Sequence, residues 1–398
     1  MDVAKTITPK DWMTHPATQK VMDVLGMGNT LFVGGCVRNT LLEKPVRDID
    51  LATKHIPDKV IKLLEGQGIK AIPTGIEHGT ITAVYDDHVF EITTLRKDVE
   101  TDGRRAVIAF ADTWEEDAQR RDFTMNTLLA DCEGNIYDPT GQGIEDLGNR
   151  RIRFVGNAET RIREDVLRIL RFFRFHAFYG QGEPDEAALE ACAKHANKIP
   201  ELSKERITQE FLKILAVDNP ADILGVMWKS GVLSNFVIPS IDEARDNTFE
   251  GLKSLTYFQT QYNAAAISTR LFALAGYEVD SMPQLETLLL LPKIIKKDIA
   301  AINAVLGMPT LNTDQVVKEA LYRQGRTATL QTLMIELSQD RVNNTDAAKA
   351  LDTIQNWQIP TFSISGEALI AEGFTQGKDL GKELNRREEA WIKSGFNE

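Results

Sequence analysis

Two short segments frame what this chain can fold into. Leu31-Phe32-Val33 runs into Gly34-Gly35, and about a dozen residues later stands Arg47-Asp48-Ile49-Asp50-Leu51. An apolar strand that ends in paired glycines and enters a helix, here read over Val37 to Leu42, turns backbone N–H groups outward at the helix start. That arrangement binds phosphate, and Arg38 could add a charge-assisted contact. Asp48 to Ala52 reads as a second strand, on which alternation puts both carboxylates on one face. Two such carboxylates repel unless a cation sits between them. Mg²⁺ is typically held by one or two carboxylates plus substrate phosphates. Either segment alone is equally a plain turn or a solvated acidic edge. Together, one grips phosphate and the other places a metal.

The surrounding sequence is α/β in character up to about residue 155. His88-Val89-Phe90-Glu91-Ile92-Thr93 is a third strand, rich in β-branched and aromatic residues. Glu133-Gly134-Asn135 marks a tight turn between Leu128-Leu129-Ala130 and Ile136-Tyr137. The polar stretch Lys97 to Arg105, with Asp102-Gly103, reads as a mobile loop. From Glu159 onward apolar residues recur at helical spacing, as in Ile169/Leu170/Phe173 and Phe211/Leu212/Leu215. Pro220, Pro239, Pro292, Pro309 and Pro360 punctuate this half into several helices. No fixed-period repeat or low-complexity segment is visible.

Composition narrows the setting. The 398 residues exceed one ordinary domain. Hydrophobic content of 42% and charged content of 26% are ordinary for a soluble globular chain. No apolar run approaches the roughly 18 residues of a membrane span, and the start lacks a secretory signal pattern. Cys36, Cys132 and Cys192 show no metal or disulfide spacing. A reducing, cytoplasmic setting is expected. All six histidines lie at or before His195, so the C-terminal half carries no histidine-based metal site. The net charge of −12 speaks mildly against nucleic acid. Yet Arg150, Arg151, Arg153, Arg161, Arg163, Arg168, Arg171 and Arg174 crowd one segment, and a basic groove on an acidic body would still attract phosphate.

Gly34-Gly35-Cys36-Val37-Arg38 with Arg47-Asp48-Ile49-Asp50-Leu51 resembles the signature of the bacterial-type (class II) tRNA nucleotidyltransferase and poly(A) polymerase family, within the polymerase-beta-like nucleotidyltransferases. Three further blocks resemble family blocks in order: Arg120 to Asn126, Arg163 to Arg171, and Ser203 to Ile207. The likeness covers roughly residues 30 to 215. Departures are Asn39 where the family usually has Asp, Thr127 where Ala is usual, and Val166 where Pro or Ala is commoner. None removes a metal ligand or a base-reading residue.

The resemblance implies an α+β fold. A nucleotidyltransferase head with a small mixed sheet (1–155) is followed by a helical neck that selects the nucleotide (156–230). A helical body and tail (231–398) would bind the tRNA elbow and acceptor arm. Asp48 and Asp50 would hold two Mg²⁺ ions, one activating the RNA 3′-hydroxyl and the other neutralising the triphosphate. Glu91 is a candidate third acid, weighed equally against a surface carboxylate. Gly34, Gly35, Arg38, Arg121 and Asn126 would bind nucleotide, although Arg121 could equally pair with Asp122 or neighbouring acids. The flexible element after Leu95 is associated in the family with switching from C to A addition.

Asp165, Arg168, Arg171 and Arg174 recur every three residues and form one polar stripe if helical. Asp165 can accept from an exocyclic amino group, and Arg168 can donate to the neighbouring ring nitrogen. Cytosine and adenine offer that pattern; guanine and uracil offer the reverse. Each mismatched buried polar group costs about 1–3 kcal/mol. The pair would therefore admit CTP and ATP without a template, with Arg171 and Arg174 holding the triphosphate or base. The bland alternative is a solvated stripe with an Asp165–Arg168 ion pair. The expectation is CCA addition to tRNA. A-adding, CC-adding and poly(A)-adding siblings share every block, a catalytically dead RNA-binding protein would keep the fold, and a small-molecule nucleotidyltransferase would not need the Asp165/Arg168 block.

Overall fold

The computed structural model describes residues 1–102, 105–236 and 246–397. The chain forms two compact units, Met1–Phe211 with Val226–Phe236, and Leu212–Gly225 with Val237–Glu398.

The first unit is built on ten strands: β1 (Lys5–Thr6), β2 (Thr30–Val33), β3 (Ile49–Thr53), β4 (Lys70–Gly75), β5 (Thr80–Tyr85), β6 (His88–Thr94), β7 (Arg96–Asp102), β8 (Arg105–Phe110), β9 (Leu129–Ala130) and β10 (Asn135–Tyr137). Eight form one sheet in the order β1-β10-β9-β2-β3-β6-β5-β4. Only β3 and β6 run parallel; the other neighbours are antiparallel. The expected turn at Glu133-Gly134-Asn135 joins β9 to β10, with Gly134 at φ 85°.

Alternation sorts the sheet's two faces. Phe32, Leu51, Phe90 and Ile81 are buried on the face covered by the helices Pro16–Leu25 and Pro57–Glu65, which also pack on each other. The opposite face carries Leu31, Val33, Ala52 and Leu129, which form a core cluster with Leu95, Ala111 and Trp114. That cluster covers one end of the face only. The other end, where β2 runs into Gly34-Gly35 and β3 begins at Ile49-Asp50, stays open.

The stretch from Lys97 to Arg105 does not match the expected loop. β7 and β8 form a two-stranded antiparallel ribbon, from Arg96 opposite Phe110 to Asp102 opposite Arg105. β7 is polar in sequence, Lys97-Asp98-Val99-Glu100-Thr101-Asp102, and so reads as loop, whereas β8 carries the apolar run Ala106 to Phe110. Gly103 and Arg104 lie outside the described residues.

Beyond β10 the described residues form helices and no further strand, so the α+β expectation stands. Helix Leu167–Tyr179 buries Leu167, Ile169, Leu170, Phe172, Phe173 and Phe175, the apolar side of the predicted stripe. Phe172 and Phe175 meet Phe123 and Phe154, with ring centroids 4.9–6.4 Å apart. Phe123 and Phe154 also form an isolated antiparallel bridge. The change of character near residue 155 is thus a change of secondary structure within one compact unit.

In the second unit Pro292 stands just before helix Lys293–Leu306 and Pro309 follows it, while Pro360 follows helix Asn344–Asn356. Pro239 lies outside the described residues. The unit's core holds a charged side chain. Arg270, 2% exposed, donates to the carbonyls of Leu215 and Val217 at 2.7 and 2.6 Å and to Gln259 Oε1 at 2.8 Å. Gln259 in turn donates to Gln331 Oε1 at 2.9 Å, and Gln331 to the Ala264 carbonyl at 2.8 Å. Leu215 ends helix Lys204–Leu215, so Arg270 satisfies carbonyls that the helix end leaves without partners. Arg270→Met should strand them and lower stability by about 2–4 kcal/mol, read as a fall in the urea midpoint.

Candidate active site

Gly34 takes φ 71°, ψ −122° at the start of helix Gly35–Leu41, a left-handed value that a side chain would strain. A Cβ on Gly34 or Gly35 would stand 3.9 Å from Asp50 Oδ2. That is an ordinary contact distance, so the Gly34 backbone angle rather than space calls for glycine, and the contact brings together the two segments that framed the sequence. Cys36 adds a clasp: its Sγ donates to the carbonyls of Val33 (3.2 Å) and Asp50 (3.6 Å). Burial pushes this thiol up to about 12.

β3 begins at Ile49, so Asp48 precedes the strand and is exposed, while Asp50 is half-buried. Glu91 is the in-register partner of Asp50 across the parallel β3–β6 pair, which places three carboxylates along one stretch. Asp50 shows the effect. Burial first, then the nearby charges of Glu91 and Asp48, raise its carboxyl to about 6, against a smaller pull from Arg121 and Arg38. A carboxylate held up by burial and by like charge gains most from a cation. Among the described residues no three His, Cys, Asp or Glu side chains close around one point.

Gly34, Gly35, Asp50 and Glu91 line a cavity of about 580 Å³, and Asp48 stands outside its lining. Seven arginines border it (Arg38, Arg96, Arg120, Arg121, Arg168, Arg171 and Arg206) against the carboxylates Asp50, Glu91, Asp122 and Asp165. An acidic chain thus carries a locally positive hollow, which concentrates polyanions.

Each arginine is fixed by a partner. Arg38 is buried; it donates to Asn126 Oδ1 at 2.7 Å and to the Tyr179 hydroxyl at 2.8 Å, and lies 4.2 Å from the Tyr179 ring centroid. Burial lowers the pKa of its guanidinium. Asn126 donates to Asp122 Oδ1 at 2.9 Å, and Asp122 Oδ2 accepts from Arg171 Nε at 2.8 Å. Burial pushes Asp122 up, but Arg171 and Asn126 outweigh it and hold the carboxyl below its usual range. Arg121 pairs with Asp117 at 2.7 Å, and Arg120 shares the same carboxylate. Arg121's ion pair is therefore with Asp117, not Asp122.

Asp165 is not on the same helix as Arg168. Helix Ala158–Glu164 ends there with Asp165 extended (φ −152°, ψ 106°), and the next helix starts at Leu167. Leu167 N–H donates to Asp165 Oδ1 at 3.1 Å. Both Asp165 oxygens accept from Arg206 Nη2, at 3.0 and 2.8 Å. Arg168 pairs with Glu164 at 2.6 Å and donates to the Arg120 carbonyl at 2.9 Å. The Asp165–Arg168 ion pair is absent, and both residues line the cavity. Arg174 stands outside the lining, its Nε 2.5 Å from Glu210.

Sequence reasoning did not single out Arg206, Asp117 or Asp122 as site residues. Arg206 and Asp122 lie inside quoted blocks, and that was their only signal. Asn39 accepts from Arg38 Nε and Nη2 at 3.3 and 3.1 Å and donates to the Pro45 carbonyl at 3.1 Å. The second bond is one a carboxylate cannot make.

Comparison with known proteins identifies the family. Residues 30–153 match the Poly A polymerase head domain, and residues 183–245 the probable RNA and SrmB- binding site of polymerase A. The chain is 34% identical over 378 residues to the mitochondrial CCA tRNA nucleotidyltransferase 1 of Danio rerio, covering 91% of this chain and 83% of the relative. The human counterpart is 33% identical over 378 residues, with 91% and 82% covered. The crystal structure of the Bacillus stearothermophilus CCA-adding enzyme in complex with CTP superposes with a TM-score of 0.77 at 26% identity, covering 96% of this chain and 94% of that one. The chain belongs to the class II tRNA nucleotidyltransferase and poly(A) polymerase family.

Asp50 gives a pH test. Its folded-state pKa lies above the ordinary value, so its contribution to stability is present below pH 4 and lost as pH rises through about 6. In chelator-treated protein, Asp50→Asn should raise the melting temperature by a few degrees at pH 7.5 and have little effect at pH 4.5. Equal shifts at both pH values would contradict the assignment.

Proposed function

We propose that this protein adds CMP, CMP and AMP to the 3′ end of tRNA from CTP and ATP, without a template. The observation that carries the reading is one cavity bordered at once by Gly34-Gly35, Asp50 with Glu91, and Asp165 with Arg168. The relatives matched over nine-tenths of the chain are CCA tRNA nucleotidyltransferases. In the reaction the RNA 3′-oxygen bonds to the α-phosphorus, the bond to the β-phosphate oxygen breaks, and pyrophosphate leaves with its electron pair.

Backbone N–H groups at Gly34-Gly35, with Arg121 and Arg171, hold the triphosphate. Asp165 accepts from the exocyclic amino group of cytosine or adenine, and Arg168 donates to the adjacent ring nitrogen. Asp165 accepts from the base while Arg206 keeps it oriented, since a carboxylate offers about four lone-pair positions. Asn126 and Arg38 hold the neck helix against the glycine turn. Arg174 acts one step back, locking the neck through Glu210. Asp48 and Asp50, with Glu91 beside them, would hold divalent metal, magnesium in our reading, which supplies positive charge at the reacting phosphate. The helical second unit binds the body of the tRNA by shape and phosphate contacts.

Among the described residues no helix is long and apolar enough to cross a membrane. The three cysteines are buried and free, which suits a reducing compartment.

Three tRNA acceptors, ending before CCA, after C and after CC, test the reading when each is offered CTP or ATP. The protein should add C, C and A in turn. A product stopping at CC, A addition alone, or long A tails would each identify a sibling activity instead. Asp50→Ala should cut incorporation at least about a thousandfold. Asp165→Ala should narrow the preference for CTP over UTP by about ten- to a hundredfold. An unchanged preference would remove Asp165 from base reading.

A further inference from the structure

The cavity has a second wall, on the β6–β5 side. In strand order the open face runs from the glycine turn after β2, to Asp50 on β3, Glu91 on β6, and then β5. Neighbouring strands are about 4.8 Å apart, so these groups form a line across the sheet. Across from Glu91 on β5 stands Thr82; one step along the strands the same face presents a pair of hydroxyls, with Arg96 also bordering the cavity. Thr93 lies two residues after Glu91 on the same face, and Thr80 is its cross-strand partner. Their Oγ1 atoms are 3.1 Å apart, and both residues are half-buried and border the cavity.

An in-line displacement requires the attacking oxygen to stand opposite the leaving group. With the triphosphate on the glycine and arginine side of Asp50, the attacking hydroxyl must arrive from the β6–β5 side. We infer that Thr80 and Thr93 form the subsite for the terminal ribose of the RNA acceptor, hydrogen-bonding its sugar hydroxyls beside Glu91. Two side-chain hydroxyls that already share one bond can each turn a donor or a lone pair to a 2′-hydroxyl, which both donates and accepts. This wall carries no base-edge selectivity, which suits a site that must accept a different terminal nucleotide at each round. The inference rests on the proposed RNA-extending activity. It assigns Thr80 and Thr93 to positioning, not to the chemical step.

The test is the double variant Thr80→Val/Thr93→Val, which removes both hydroxyls in nearly the same shape and leaves neither partner orphaned. With tRNA lacking CCA, kcat/KM for the tRNA should fall about tenfold while KM for CTP stays within about twofold. An acceptor whose terminal sugar is 2′-deoxyribose should slow the wild type by a similar factor and slow the double variant little further. Thr80→Ser/Thr93→Ser should restore the wild-type rate on the ribose acceptor. An unchanged kcat/KM for tRNA, a loss carried by KM for CTP, or additive losses from the deoxy sugar and the variant would each overturn the subsite. Wild-type protein that extends no tRNA would overturn the RNA-extending reading itself, a different result from normal wild-type extension with an indifferent variant.

Discussion

The first unit depends on a short run of buried polar bonds from Arg38 through Asn126 and Asp122 to Arg171. Its members come from the helix after the glycine turn, the segment after Gln119, and the helix Leu167–Tyr179. Buried charge is tolerated only when each donor and acceptor finds a partner, and here each link supplies the next. The chain of bonds fixes the arginine-bearing helix at one distance from the glycine turn. The phenylalanine cluster beneath it supplies burial but little direction; the polar run supplies the angle.

The same logic explains how an acidic protein sustains a positive hollow. Seven arginines around one cavity would repel one another if free. Instead Asp117 takes two, Asp122 one, Glu164 one and Asp165 one. Each pair offsets part of the positive charge, while Asp122 and Asp165 border the cavity together with the arginines they hold. The excess acid elsewhere on the surface does not cancel this local field, because screening confines it to roughly 10 Å.

Legibility in the sequence followed the range of the interaction. Gly34, Gly35, Asp48 and Asp50 were readable because turn chemistry and strand alternation act over a few residues. Glu91 was readable as a strand residue, but its station beside Asp50 needed the parallel β3–β6 register, which joins segments about forty residues apart. Arg168 and Arg171 were readable as a polar stripe, whereas the partner of Arg171 was not, because Asp122 lies 49 residues away in sequence and reaches it only through the fold. The break at Asp165 escaped helical periodicity, since one extended residue does not disturb a count of three. The β7–β8 ribbon escaped because its first strand is polar and carries Asp102-Gly103 at its end, although the second strand is apolar from Ala106 to Phe110.

Cys36 has a consequence of another kind. Its sulfur lies directly under the backbone of Asp50, yet its proton is held far above neutral pH. Alkylating agents and peroxides attack thiolates, so in the folded protein they find nothing to attack at this position. The chemical durability of the centre is therefore set by folding stability, and thiol reagents become reporters of how often this corner of the sheet opens.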